Sequence, residues 1–505
     1  MTGQVLDAVA RHARQRPDAV ALEGAFANVT WKELDAGTEA LAAQLAERAP
    51  AAIGLWMDNT PAWVMADLAA MRAWIPLIPM PLFFSPEQIR HLIARSGLEL
   101  AMTDQPGPFR QMMAAIGVGI SDEEPLELGG VRVWMFQLEH PASCLIPESV
   151  AKVTYTSGTT GEPKGACLSL AAMETVASSL HKACEGVETD RHLCALPLAT
   201  LLENIGGVYA PLLAGGTCVL PGLVGVGLSG ASGLDAARFL RALHEHRVTT
   251  CILIPQMLTA LVAAIEAGGE RPAHLRYLAV GGAPVSLALL ERAHELGLPV
   301  YEGYGLSEAS SVVAVNTPAA NRPGSVGRPL PHAEVSFAED GEILVRGALF
   351  SGYLEDGGVA GPALVDGWWP TGDVGHMDDD GFLHLTGRKK HIFITAFGRN
   401  VSPEWVEREL TMNPAVAQAV VFGEARPFNV AVLVPAPGAD EAAVAKAVEA
   451  ANGRLPDYAR VGRWLLADEP FSVANGLFTG TGRPRRQAIW QAYRERIEAC
   501  YEEDA

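Results

Sequence analysis

At 505 residues the chain is too long for one hydrophobic core, so two to four domains are expected. Hydrophobic residues at 49% and charged residues at 19% exclude a long disordered arm. A formal net charge of −20 leaves no basic stripe to pair with phosphates, which excludes a nucleic-acid partner.

In chain order, residues 5–14 and 31–48 carry apolar positions at helical spacing, and residues 52–56 read as a buried strand. Ser85-Pro86-Glu87-Gln88 is a helix start, with a serine cap and proline in the first turn. Residues 205–230 hold no charged side chain, but eight glycines, Pro211 and Pro221 predict short buried elements joined by turns. From 150 to 335, strand, turn and helix alternate. Residues 275–280 run into Gly281-Gly282-Ala283-Pro284, and residues 300–302 run into Gly303-Tyr304-Gly305. Such alternation predicts parallel sheets covered by helices, with ligands at the carboxyl ends of strands.

After about residue 335 the short segments 334–337, 341–346 and 381–386, separated by Asp/Gly turns, predict a small antiparallel unit. The last block has a β-α-β-like pattern, with segments 392–395, 402–410, 416–422, 430–434 and 440–451. Its joint with the rest is Gly387-Arg388-Lys389-Lys390. Seven scattered cysteines without C-x-x-C spacing read as small apolar residues in a reducing compartment. The N-terminus lacks a basic region followed by an apolar core, so a cytoplasmic protein with no integral membrane segment is expected.

The strongest chemical signal is Tyr155-Thr-Ser-Gly-Thr-Thr-Gly-Glu-Pro-Lys-Gly165. Gly158, Gly161 and Gly165 let backbone N–H groups approach an anion. Thr156, Ser157, Thr159 and Thr160 add hydroxyls, and Lys164 adds a full positive charge. Pro163 before the lysine biases Glu162 away from helix, so the loop differs from a mononucleotide P-loop and suits a departing polyphosphate. In Tyr301-Glu-Gly-Tyr-Gly-Leu-Ser-Glu308, Tyr304 could cover a purine and Glu308 could hold Mg²⁺; the alternative is an ordinary strand-to-helix turn. Trp369-Pro-Thr-Gly-Asp373 puts one carboxylate at a Gly-bounded turn suited to the two hydroxyls of a ribose, with Arg388 fifteen residues on.

In this order the segments resemble the adenylate-forming (AMP-binding) superfamily, which comprises acyl-CoA synthetases, peptide-synthetase adenylation domains and luciferases. The similarity spans roughly residues 5 to 490, and Asn475-Gly-Leu-Phe-Thr with Gly398-Arg-Asn-Val-Ser-Pro403 is most like long-chain acyl-CoA synthetases. The implied fold is α/β: a large N-terminal AMP-binding domain, residues 1–388, of stacked mixed and parallel sheets with helices. It includes a small antiparallel β subdomain at 335–388, and residues 389–505 form a small mobile α+β lid.

The resemblance implies ATP, Mg²⁺ and coenzyme A as reactants of an acid–thiol ligase acting on a fatty or other apolar acid. Thr156, Ser157, Gly158, Thr159, Thr160, Gly161 and Lys164 would hold the β- and γ-phosphates. Gly282, Ala283, Pro284, Tyr304 and Gly305 would form the adenine site. Ser307 would meet the α-phosphate, Glu308 the Mg²⁺, and Asp373 with Arg388 the ribose. Lys390 matches the hinge, and Gly398 lies on the implied thiol path.

Two positions depart from the family. Arg483 stands where relatives carry the lysine that bridges acid and ATP, and no lysine follows Lys446. Thr200, in Leu196-Pro-Leu-Ala-Thr200, stands where relatives commonly carry histidine near the acyl carboxylate. Two other readings therefore stay open: transfer to an acyl carrier protein or small nucleophile, and an acyl-adenylate-binding protein impaired in the first half-reaction.

Overall fold

The computed structural model describes residues 3–139, 146–156, 163–229, 233–283, 285–355, 358–472, 474–479 and 483–502. Two nine-stranded mixed sheets dominate it. The first is built on parallel strands Val20–Gly24, Thr217–Leu220, Arg191–Leu193, Thr250–Leu253, Tyr277–Val280 and Val300–Leu306. In the second, Leu100–Thr103, Ile53–Leu55, Leu77–Pro79 and Lys152–Thr156 run parallel. Lys164–Leu168 and then Gly352–Glu355 extend that sheet in antiparallel sense.

The two sheets share a core. Helix Pro61–Ala73 is buried from Pro61 to Met71, as its almost uncharged sequence demands of a helix apolar on every side. Its Trp63 shares one core cluster with Leu22 and Cys218 of the first sheet and Ile53 and Leu168 of the second. Within this layer Lys152 is fully enclosed; its ammonium lies 2.8 Å from Asp67 Oδ1 and donates to Tyr209 Oη at 3.0 Å. The pair clamps helix Pro61–Ala73 to the strand that leads into the Gly/Thr loop.

Local signals set the helix ends. Thr30 and Glu33 form a reciprocal capping box at helix Trp31–Arg48, and Ser85 and Gln88 form another at Pro86–Ser96. The uncharged run becomes a π-helical segment Glu203–Tyr209, helix Ala210–Ala214 and strand Thr217–Leu220. Among the described residues no helix is long and apolar enough to cross a membrane.

Beyond these sheets, Ala333–Phe337, Glu342–Gly347, Trp369–Met377 and Leu383–Arg388 form a four-stranded antiparallel sheet. The C-terminal elements surround a three-stranded sheet, Val416–Phe422, Asn429–Pro435 and Val461–Leu466. Helices Pro403–Thr411 and Glu441–Arg454 cover one face, and Arg486–Glu502 the other.

Two local expectations change. Residues 303–305 do not form a turn, because strand Val300–Leu306 continues through them and pairs antiparallel with Ser311–Val315. Asp373 lies within strand Trp369–Met377, directly across from Arg388, instead of at a turn. In both places cross-strand hydrogen bonds outweigh the turn preference of glycine.

Candidate active site

The carboxyl ends of the first sheet, the antiparallel subdomain and the C-terminal elements enclose a cleft of about 3190 Å³. Lys164, Tyr304, Ser307, Glu308, Asp373, Arg388, Lys390 and Arg483 all line it, although up to 319 positions separate them in sequence. Ser157, Gly158, Thr159, Thr160, Gly161 and Pro284 lie outside the described residues. Thr156 ends strand Lys152–Thr156 and pairs in register with Lys164, so the loop between them starts and finishes at one edge of the cleft.

Three couples organise the polar wall. Tyr304 Oη donates to Asp373 Oδ2 at 2.7 Å, and Arg388 Nε donates to Asp373 Oδ1 at 2.6 Å. Burial pushes the Asp373 carboxyl up, with Arg388 and Tyr304 opposing it. As a carboxylate it has about four lone-pair sites; Tyr304 Oη, Arg388 Nε and, at 3.5 Å, Arg388 Nη2 take three, so one remains for an outside donor such as a ribose hydroxyl. Tyr353 Oη donates to Glu308 Oε1, and the same ring lies 5.2 Å under Lys164 Nζ.

Glu308 sits on a 3₁₀ turn, Ser307–Ala309, projected into the cleft by a register shift between Tyr304 and Gly305. A β-carbon at Gly305 would fall 1.9 Å from Ser311 O, so this close crossing of strands requires glycine. One carboxylate is a fitting protein share of an Mg²⁺ shell, which otherwise takes water and phosphate oxygens.

The third couple joins the C-terminal elements to the first sheet. Arg483 donates to Gly282 O at 2.7 Å. Enclosure by the cleft walls and then Arg388 draw its pKa down, while Asp373 and Glu308 hold it up; the side chain itself stays open to the solvent of the cleft. Lys390 is drawn down by partial burial first, then by Arg388 and Arg483. Its neighbour Lys389 bridges Asp340 at 2.6 Å and Glu342 at 2.8 Å, and its N–H donates to Gly372 O. Gly282 and Ala283 line the cleft, whereas Gly398, at φ +71°, lies outside it beside the exposed Phe397.

Sequence reasoning missed Tyr353, and it gave no separate role to Lys389, within the joint 387–390, or to Glu302, within the segment 301–308. Tyr353 comes from Gly352–Glu355, an edge strand joined to the Lys164 strand by long-range pairing, with no local motif to mark it. Glu302 is buried in the cleft wall, and burial pushes its carboxyl up to about 8 against Arg408 and a backbone N–H of Val285. Thr200 Oγ1 donates to Pro197 O at 2.7 Å, so its hydroxyl closes a turn in place of the histidine common in relatives.

Residues 9–354 match the model of the AMP-binding enzyme family, and residues 390–505 match that of the AMP-binding enzyme C-terminal domain. The chain belongs to the AMP-binding enzyme family. It is 26% identical to the long-chain-fatty-acid–CoA ligase FadD15 of Mycobacterium bovis, covering 98% of this chain and 96% of that one. It is 30% identical to the indoleacetate–CoA ligase of Aromatoleum aromaticum over 68% of each chain. The crystal structure of the anthranilate CoA ligase AuaEII with anthranoyl-AMP shares the fold at a TM-score of 0.78, with 18% identity over 97% of this chain and 96% of that one. This family member is an AMP-forming acid–thiol ligase, with ATP and coenzyme A as its reactants.

Proposed function

We propose that this ligase activates a carboxylic acid of largely apolar body, with residues 1–388 as the adenylation domain and 389–505 as a lid that moves between two half-reactions. The observation that carries this reading is the bond from Arg483, on the lid, to Gly282 O in the cleft wall. It brings a guanidinium from the C-terminal elements into the polar wall of the cleft, as the first half-reaction requires. It also favours competent adenylation over the impaired reading, because arginine keeps the charge that the family's lysine supplies.

In the first step an oxygen of the acid attacks the α-phosphorus and the bond to pyrophosphate breaks. Lys164 and the 156–161 loop hold the departing phosphates, Ser307 meets the α-phosphate, and Arg483 neutralises charge gathering between acid and nucleotide. Glu308 would hold Mg²⁺, which when bound offsets phosphate charge. Gly282, Ala283, Pro284, Tyr304 and Gly305 bound the adenine, while Asp373, steadied by Tyr304 and Arg388, takes the ribose. In the second step the thiol attacks the acyl carbon and AMP leaves with the bonding pair. Since Gly398 lies outside the cleft while Arg483 is in it, the lid must turn about Lys390 before Gly398 can border a thiol path.

The acyl group would lie along Leu180, Leu202, Ala210 and Ile252, which supports an apolar acid. A panel of alkanoic and aryl acids, with AMP release followed in free coenzyme A, with a phosphopantetheinylated carrier protein, or with neither, tests the reading. Acid-dependent AMP release that coenzyme A accelerates is the expected outcome; a carrier requirement moves the acceptor to a protein. No pyrophosphate exchange with any acid removes the adenylation role.

A further inference from the structure

The acyl cavity of this proposed ligase changes character with depth. Strand register sets Ile252 beside Ala279, and two residues nearer the amino ends it sets Thr250 beside Tyr277 and His192. Alternate strand residues share a face, so Ile252 and Thr250 line one wall about 7 Å apart. The upper row is apolar, and Gly206 opposite leaves the room that a β-carbon would take 2.8 Å from Ile252 Cδ1. The lower row bears hydroxyl and imidazole groups that still line the cavity.

These deep polar groups are held by one another. His192 Nδ1 lies 2.9 Å from Thr250 Oγ1, and His192 Nε2 lies 3.1 Å from Glu203 Oε1. The second oxygen of Glu203 accepts from Leu196 N–H at 3.1 Å. Cys194 Sγ lies within 4.8 Å of the same imidazole and carboxylate and donates to Gly207 O at 3.5 Å, and the contacts made here are those of a hydrogen-bond relay. A buried polar relay facing the cavity carries a desolvation cost that packing alone does not require.

We propose that Thr250, oriented by the His192–Glu203 relay, is a subsite for a hydroxyl on the body of the acid, so the substrate class is hydroxylated acids of otherwise apolar skeleton. A threonine hydroxyl is one donor and two acceptors. With hydrogen on Nε2, Thr250 donates to Nδ1 and turns acceptor capacity to the cavity. With hydrogen on Nδ1, Thr250 accepts there and turns its own O–H inward. A substrate hydroxyl both donates and accepts, so it matches either arrangement.

This inference rests on the ligase reading and is tested on the full chain with ATP, Mg²⁺ and coenzyme A. Straight-chain acids are compared with monohydroxy acids of equal length, the hydroxyl placed at successive carbons, and AMP release gives kcat/KM for each. One hydroxyl position is expected to exceed the plain acid by about tenfold or more. That ratio should fall toward one in Thr250→Val and persist in Thr250→Ser. Calorimetric titration of the unaltered chain with hydroxylated and plain acyl-sulfamoyl adenosines reads the same preference without any variant and holds if Thr250→Val does not fold. A ratio near one at every position, or a preference that Thr250→Val retains, overturns the hydroxyl subsite alone. No AMP release from any acid overturns the ligase reading and the subsite with it.

Discussion

Arg483 reaches the cleft, yet its planar fork cannot rotate its donors as the ammonium of the family's lysine does. Arg483→Ala is expected to slow pyrophosphate exchange about 100-fold, the scale of losing one preorganised charge donor. Arg483→Lys should remain within about tenfold of the parent, because the charge is kept. An alanine variant as fast as the parent would remove this residue from adenylation. Glu302 makes a different prediction, about stability. Its carboxyl titrates near 8 in the folded chain and near 4.5 when unfolded. Between those values the unfolded chain releases a proton that the folded chain keeps, so this group's contribution to stability is full below pH 4.5 and is lost as pH rises through about 8. Glu302→Gln removes this loss. The melting-temperature gain of the variant over the parent should therefore grow from pH 5 to pH 8 and then level.

Helix Pro61–Ala73 and strand Lys152–Thr156 are joined at Asp67 and Lys152, both almost without solvent contact. Two such charges persist in a core only as a couple, since either alone would be a desolvated ion. Asp67→Ala should cost about 3–5 kcal/mol in denaturant unfolding, whereas the double variant Asp67→Leu, Lys152→Met should recover most of that loss. If the single variant unfolds at the parent's midpoint, the clamp does not anchor the strand that leads to the Gly/Thr loop. Strand Val300–Leu306 shows how one element serves two ends: its carboxyl half carries Tyr304 to Asp373, and its amino half stacks Tyr301 on Tyr277 at 4.5 Å.

Across the whole molecule, the arrangement with Arg483 in the cleft has Lys389 tied to Asp340 and Glu342 and Gly398 in the open. A β-carbon at Gly398 meets no atom within 4 Å here, so the cost of adding it is that of the left-handed backbone, about 1 kcal/mol. Gly398→Leu is therefore expected to keep pyrophosphate exchange near the parent rate and to abolish thioester formation from synthetic acyl-AMP. Equal loss of both half-reactions would count against a lid that alternates between two positions.

What the chain alone determined is its local chemistry. Capping boxes at Thr30 and Ser85 and the apolar runs of the parallel strands depend on neighbours a few positions away, and the motif order was enough for the family. Residues 303–305 and Asp373 were misread because glycine favours turns locally, whereas partners across a sheet decide whether it joins a strand. Only the tertiary structure decided that Tyr353 meets Glu308, that Arg483 meets Gly282, and that His192 and Glu203 stand behind Thr250. Those meetings arise from strand register and from packing between elements far apart in sequence, and no periodicity along the chain encodes them.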